Sequence, residues 1–443
     1  MRKKSIQKSF ITILISSTLS KMFALVSKIA LTSILGIKIM SIFGLINPLL
    51  ILIITLSSFS LPSTLTYLIS SKRSNSKIYI KTSIILIFLI SIFLSSILYF
   101  FSSYIGYTFF HNEQVIPSIK TLALLVPLIS FTSLLKGYYQ GIKEVTFSSS
   151  SQLFEEGFRL IFNLFLIELL LKDNESYNAT LLVISLCVGE IGQVIYFIFF
   201  SKTNYQKNYF KLLKKDNKFE FKKTSKEIID IALPLTLSRL IGSITYFLEP
   251  VILTTIMTKL NYSIDIVTYE YGVLTTYVMS LLLLPGFFSL ALSTYLLPHL
   301  SETIANNNYQ KSMKIFKSIL SLCLLIGLSF SCIFFFFGNN ILELLYNIKL
   351  EKDLFKYLAF PFLIYYFETP INTALQAFSM SKISFITTTI SCIIRIILLF
   401  IFIPILKTNA IILSTLISCF ITVIVNLFFI RKGFLSCKEK ISI

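Results

Sequence analysis

The chain has 443 residues, of which 55% are hydrophobic and 15% aromatic, and its mean hydropathy is +0.80; an ordinary soluble domain carries about 45–50% apolar residues, so that class is excluded. A net charge of +19 would point to nucleic acid in a soluble protein. Here the basic residues lie in loops between apolar runs, where membrane proteins place them on the cytoplasmic side, and no nucleic-acid partner is expected.

The N-terminal MRKKSIQK is followed by Phe10–Leu35, an apolar run too long for a signal-peptide core and without a clear small-residue cleavage site. It reads as a retained first spanning helix. This run contains Lys21 and Lys28. Seven residues apart on a helix, they point almost the same way and stand roughly 10 Å apart along the axis. Ser17, Ser20, Ala24 and Ser27 are expected on that face. A lysine at the centre of a spanning helix costs about 2.5–3.5 kcal/mol on insertion scales. Two readings stay open: the stripe faces protein or a wet cavity, or each ammonium snorkels to an interface. Snorkelling suits Lys28, near the outer end, better than Lys21, near the middle.

Apolar runs of about 18 residues or more fall at 10–35, 43–69, 82–104, 120–137, 150–171, 178–200, 228–258, 271–297, 314–337, 354–377, 383–405 and 408–430. The fold class is therefore all-α, a polytopic membrane protein with about twelve transmembrane helices. Placing both termini inside puts 27 of the 40 Lys and Arg in cytoplasmic segments and 8 outside, with five within spans. That asymmetry favours cytoplasmic termini. The most polar interior segment, Ser201–Lys226, separates two sets of six spans. The expected organisation is an N-terminal lobe at 1–210, a basic cytoplasmic linker at 211–227 and a C-terminal lobe at 228–443. Cys187, Cys323, Cys332, Cys392 and Cys419 lie in apolar runs and Cys437 in a polar tail, which reads as free thiols.

Weak internal repeats agree with the division. Thr18-Leu-Ser-Lys21 recurs as Thr236-Leu-Ser-Arg239, Phe59-Ser-Leu61 as Phe288-Ser-Leu290, and Arg159 has a counterpart in Arg395. The cation recurs with the repeat. Pro48, Pro62, Pro234, Pro250, Pro285-Gly286 and Pro370 are expected to interrupt spans, either beside a cavity or only because proline is frequent in membrane helices.

In the fifth span Glu155 and Arg159 have the i,i+4 spacing at which an acid and a base pair along one helix face. Lys21, Arg239 and Arg395 have no acid within four residues on their own helices, and Glu190, Glu249 and Glu368 are equally solitary. Cross-helix pairs such as Arg239 with Glu249 or Glu368 are open alternatives. No Gly-rich phosphate loop, CxxC or HExxH spacing, or Asp-x-Asp motif is present, and the two histidines, His111 and His299, stand apart from catalytic neighbours. Neither metal, cofactor nor enzymatic activity is expected.

Ala232–Pro250 (ALPLTLSRLIGSITYFLEP), Leu135–Gly141 (LKGYYQG) followed by Ser151–Glu155 and Arg159, and Leu297–Glu302 (LPHLSE) resemble the stage V sporulation protein B group. That group lies in the polysaccharide-exporter branch of the multidrug/oligosaccharidyl-lipid/polysaccharide (MOP) superfamily and is related to the lipid II flippases. The resemblance implies two six-helix lobes around a central cavity, as in MATE transporters, working by alternating access. It implies a lipid-linked diphosphate glycan and membrane lipids as partners, in the cytoplasmic membrane, with spore cortex assembly as one setting. Lys21, Lys28, Arg159, Arg239 and Arg395 become the substrate-facing cations, and Glu155, Glu249 and Glu368 their charge partners or coupling groups. Lysine suits a site that must also release a diphosphate, being a flexible point charge rather than a rigid fork. The head group, the driving ion and the oligomeric state stay open. Two departures stand out: IKEVTFSSS after Gly141 lacks the usual proline, and twelve spans replace the fourteen of many relatives, whose last pair handles the lipid tail. Rival readings are a flippase for another lipid-linked oligosaccharide or polysaccharide, a drug/cation antiporter and a non-transporting scaffold.

Overall fold

The structure, a computed structural model, describes residues 2–71, 76–142, 144–200, 221–306, 308–350, 353–378 and 380–439. Among them every regular element is a helix. The chain divides into two compact units, Met1–Phe247 and Leu248–Ile443, with the boundary inside one long helix. Of the expected linker at 211–227, residues up to 220 lie outside the described ones, and the remainder opens that helix at Phe221.

The first unit contains α1 (Arg2–Ser58), α2 (Leu61–Ser71), α3 (Ser76–Phe100), α4 (Ile116–Gly141), α5 (Val145–Ile161), α6 (Glu175–Phe199) and the first part of α7 (Phe221–Lys259). The second contains the rest of α7, then α8 (Ile264–Gly272), α9 (Gly286–Ala305), α10 (Tyr309–Tyr346), α11 (Tyr365–Ala377), α12 (Ser381–Leu406) and α13 (Asn409–Glu439).

Among the described residues eight helices are long and apolar enough to cross a bilayer, or nine with Ile264–Leu282 and Gly286–Ile304 taken as one bent span. The twelve apolar runs of the sequence nevertheless fall mostly on helix, with breaks inside several of them. α1 carries the first and most of the second, which continues into α2, Val145–Ile161 holds three charges in its last seven residues, and the tenth is divided among Leu354–Leu358, Pro361–Ile364 and Tyr365–Ala377.

The breaks follow local chemistry only in part. α1 turns at Gly36, whose φ of 77° a residue without Cβ adopts without strain. It ends before Phe59 and Ser60, which hold φ of 44° and 47° just ahead of Pro62, a region costly for side-chain-bearing residues. A 49° bend separates Leu282 from Gly286, across Pro285. Pro48, Pro234, Pro250 and Pro370 lie inside continuous helix. The expectation of a break at each of them is corrected: neighbouring groups in a membrane bundle tolerate the missing N–H.

Because lipid tails are as apolar as leucine, helices in a membrane associate through close packing and hydrogen bonds rather than through a hydrophobic drive. In the first unit, Gly137 and Gly141 on α4 let α2 approach until a Cβ at Gly137 would stand 2.9 Å from the Leu61 carbonyl oxygen and the Pro62 Cα. Leu61, Leu65, Ile69, Leu134 and Tyr138 are buried there, and Tyr139 stacks on Phe197 of α6 at 5.2 Å. In the second unit, Leu296 and Leu300 of α9, Phe316 and Ile319 of α10, Ile371 and Leu375 of α11, and Val423 and Phe434 of α13 form the core. The many hydroxyls stay inside apolar helices by donating to carbonyls one turn back, as Thr254 does to Pro250 at 2.8 Å. Cys187, Cys323, Cys332, Cys392 and Cys419 are free thiols, and Cys437 lies where no side chain is described.

Candidate functional site

In the first unit α1, α4, α5 and α6 bring their polar side chains together. Glu155 and Glu156 are neighbours on α5 and so point about 100° apart. Arg159, one turn on, pairs with Glu156 rather than with Glu155. The sequence expectation of a Glu155–Arg159 pair is thereby corrected. Both spacings lie within reach of an arginine, and what separates them is competition: Glu155 is engaged by Lys136 of α4 at 3.7 Å and accepts from Gln193 Nε2 of α6 at 3.3 Å. Gln193 also donates to Ser151 at 2.9 Å, and Thr132 of α4 donates to Glu190 of α6 at 2.6 Å. The three acids Glu155, Glu156 and Glu190 thus sit among Lys136, Arg159 and hydroxyl donors. Lys136 stands where its apolar run ends and so reads as a loop cation, and Gln193 carries no charge to mark it. Neither is legible as part of a charge network without the fold.

The polar stripe of α1 divides. Ser20 and Ser27 are buried: Ser20 donates to the Ser16 carbonyl at 2.8 Å, and Asn163 Nδ2 donates to Ser27 Oγ at 2.5 Å. Ser16 stands 3.5 Å from Ser150 of α5. Ser16 and Ser27 fasten α1 to α5 and the helical turn after it, whereas Lys21 is exposed and Lys28 half-buried. The single face expected for Ser20, Ser27 and the lysines is therefore two adjacent faces, because a one-residue step of 100° separates Ser20 from Lys21 and Ser27 from Lys28. Ser17 lies where no side chain is described. Lys21 makes no ion pair within 4 Å among the described residues, and Glu156 is near enough for Lys21 to act on it electrostatically. Glu249, one of the acids open to Arg239, finds its partner in Arg395 instead. Arg239 is exposed on α7 and donates through Nη2 to Ser63 of α2 at 3.3 Å.

In the second unit Arg395 of α12 meets Glu249 of α7 at 2.5 Å and donates to Thr415 of α13 at 2.7 Å. Glu368 of α11 accepts from Cys419 of α13 at 3.6 Å. The repeat positions therefore behave alike: Lys21 and Arg239 are exposed, and Arg159 and Arg395 are held by a glutamate. Among the described residues no group of three His, Cys, Asp or Glu side chains could hold a metal ion.

A family model described as "Polysaccharide biosynthesis protein" matches residues 6–304. The chain belongs to that family. Among curated relatives, Stage V sporulation protein B of Bacillus subtilis (strain 168) is 25% identical over 411 residues, covering 90% of this chain and 78% of the relative. Sporulation protein YkvU of the same organism is 21% identical over 275 residues, 61% of this chain and 60% of the relative. The fold is that of MOP superfamily transporters. The inward-facing conformation of a multidrug resistance MATE family transporter superposes with a TM-score of 0.72 at 15% identity, covering 95% of this chain and 96% of that one. A MOP superfamily transporter from Pyrococcus furiosus Vc1, described by the reverse polarity of its binding pocket, gives 0.64 at 15% identity, with 98% and 96% covered.

Proposed function

We propose that this family member is a flippase that moves an undecaprenyl-diphosphate-linked peptidoglycan precursor, similar to lipid II, across the cytoplasmic membrane by alternating access, with both termini in the cytoplasm and spore cortex assembly as its setting. The observation that carries the reading is Lys21, a cation exposed within an apolar helix and without an ion pair within 4 Å among the described residues. Such a group is costly in a membrane unless an anion meets it. A lipid-linked diphosphate is an anion that a spanning helix can meet, through charge-assisted hydrogen bonds. Lys28 extends the same face by two turns, and Arg239 repeats the exposed cation on α7. Arg159 and Arg395 hold charge in reserve: each is tied to a glutamate that could release it in another conformation. Glu155, Glu249 and Glu368 act as charge partners or as coupling groups for the driving ion. The similarity to Stage V sporulation protein B supports the sporulation setting.

The test is leaflet-resolved labelling of lipid II in cells depleted of the protein. Loss of outer-leaflet labelling is expected. If labelling is unchanged while growth or sporulation fails, lipid II is not the substrate. A flippase for a different lipid-linked oligosaccharide is the second reading, favoured by the family's description in polysaccharide biosynthesis; it keeps the cations and changes only the glycan.

A further inference from the structure

α10 carries Lys311, Lys314 and Lys317 at intervals of three residues, all exposed. None of the three makes an ion pair within 4 Å among the described residues. Lys314 and Lys317 line an open surface groove of about 530 Å³ with Gln310, Met313, Ser318 and Ser321, and Lys311 stands one turn before Lys314. The opposite face is anchored: Ser312 donates to Thr303 of α9 at 2.9 Å, Phe316, Ile319 and Cys323 are buried in the core, and Asn308 caps the helix by accepting from the Lys311 N–H at 3.0 Å. The lysines therefore stand on a fixed platform and keep facing outward.

Below them the same face turns apolar and remains exposed, through Leu325 at 62%, Leu328 at 36% and Phe336 at 68%. From Lys314 to Phe336 is 22 residues, about 33 Å of helix, close to the thickness of a bilayer's hydrocarbon core. One surface thus joins a cluster of ammonium and hydroxyl donors to an acyl-chain-sized apolar track. A soluble anion would use only the first part, and a neutral lipid only the second.

We propose that this face of α10 is a binding site for an acidic phospholipid, with its phosphate among Lys311, Lys314, Lys317, Ser318 and Ser321 and its acyl chains along Leu325 and Leu328. The site does not depend on what the protein transports.

The chain contains no tryptophan, so a single introduced one reports its own lipid neighbours. Leu325→Trp lies eight residues below Lys317, about 12 Å deeper along the helix, at acyl-chain depth. The full-length protein would be reconstituted in phosphatidylcholine vesicles, and quenching measured with phosphatidylglycerol or phosphatidylcholine brominated on the acyl chains. The expected result is a relative association at Leu325→Trp at least about fivefold higher for phosphatidylglycerol, the factor that one lysine near an anionic surface supplies. Phe93→Trp, on the exposed apolar face of α3, should show no preference. The preference should disappear in the triple Lys311→Gln, Lys314→Gln, Lys317→Gln and persist in the triple arginine variant, which keeps the charge and guards against a folding artefact. Equal association of the two lipids at Leu325→Trp would overturn the proposal. So would a preference that survives the glutamine triple, and so would displacement of the lipid by millimolar glycerol 3-phosphate, which would make the site one for a soluble phosphate.

Discussion

Arg395 of α12 and Glu249 of α7 meet at 2.5 Å, with the glutamate side chain only 1% exposed. A carboxylate so placed depends on its guanidinium, because removing one partner of a buried pair costs about 3–5 kcal/mol, whereas replacing both with apolar groups is often neutral. Arg395→Ala should accordingly lower the melting temperature of the detergent-purified protein or its level in the membrane. Arg395→Met combined with Glu249→Leu should recover most of the loss. Size-exclusion thermal-shift measurement on the wild type, both single variants and the double variant checks this. Additive losses would mean that the two side chains are stabilised by different partners.

In the first unit the same logic separates two neighbouring glutamates. Arg159 pairs with Glu156, while Glu155 turns to Lys136 and Gln193. Arg159→Ala should be rescued by Glu156→Ala and not by Glu155→Ala, with a coupling energy on the order of 1–3 kcal/mol in the first double-mutant cycle and near zero in the second. The reverse pattern would restore the i,i+4 pair that spacing alone suggests.

That difference shows where sequence reasoning stops. Hydropathy finds the apolar runs because insertion energy is a local property of about 20 residues, though eight or nine of the described helices are long and apolar enough to span on their own. The intramembrane charges are equally visible, because each is expensive wherever it points. Pairing is not, since Glu155 and Glu156 are both within an arginine's reach and the choice is made by Lys136 and Gln193 on other helices. Likewise Ser20 and Lys21 differ by a single step of the helix, and only packing against α5 decides which is buried. The breaks are legible at Pro285-Gly286, where the chain bends by 49°, and unreadable at Gly36, which no expectation marked, or at Pro48 and Pro250, where the bundle absorbs the lost hydrogen bond.

Glycine packing gives a graded test. A Cβ at Gly137 would collide with the α2 backbone at 2.9 Å, whereas at Gly157 it would meet nothing within 4 Å. Gly137→Ala should therefore force α2 and α4 apart and reduce the folded yield. Gly157→Ala should be neutral or stabilising by up to about 1 kcal/mol, the helix-propensity gain of alanine over glycine. Folded yields by fluorescence-detected size exclusion compare the two, and a Gly137→Ala protein as abundant as Gly157→Ala would show that the α2–α4 contact is not tight.

The segment Ser201–Lys226 holds nine lysines, and Asn217 within it lies outside the described residues. A cysteine placed there in a cysteine-free background should resist membrane-impermeant maleimide in intact cells and react after permeabilisation, since translocating so many basic residues is disfavoured. Labelling from outside would invert the proposed topology.

Lys21 is the sharpest test of the proposed mechanism. Because it has no ion pair within 4 Å among the described residues, Lys21→Ala strands no acid, and its removal should ease insertion by up to about 2.5–3.5 kcal/mol rather than impair it. Membrane levels should stay near normal while complementation of a depletion strain is lost. Lys21→Arg should retain part of the activity, since the charge remains and only its geometry changes to a rigid fork. Lys21→Glu should be inactive because a carboxylate repels a diphosphate. Arg239→Ala, at the repeat position in α7, should weaken transport as well, and its loss of the exposed 3.3 Å hydrogen bond to Ser63 should cost less than about 1 kcal/mol of stability. If Lys21→Ala instead lowers the protein level, the residue serves folding through its electrostatic contact with Glu156. If Lys21→Ala is abundant and fully active, the ammonium merely reaches for the interface, and the diphosphate must be held elsewhere.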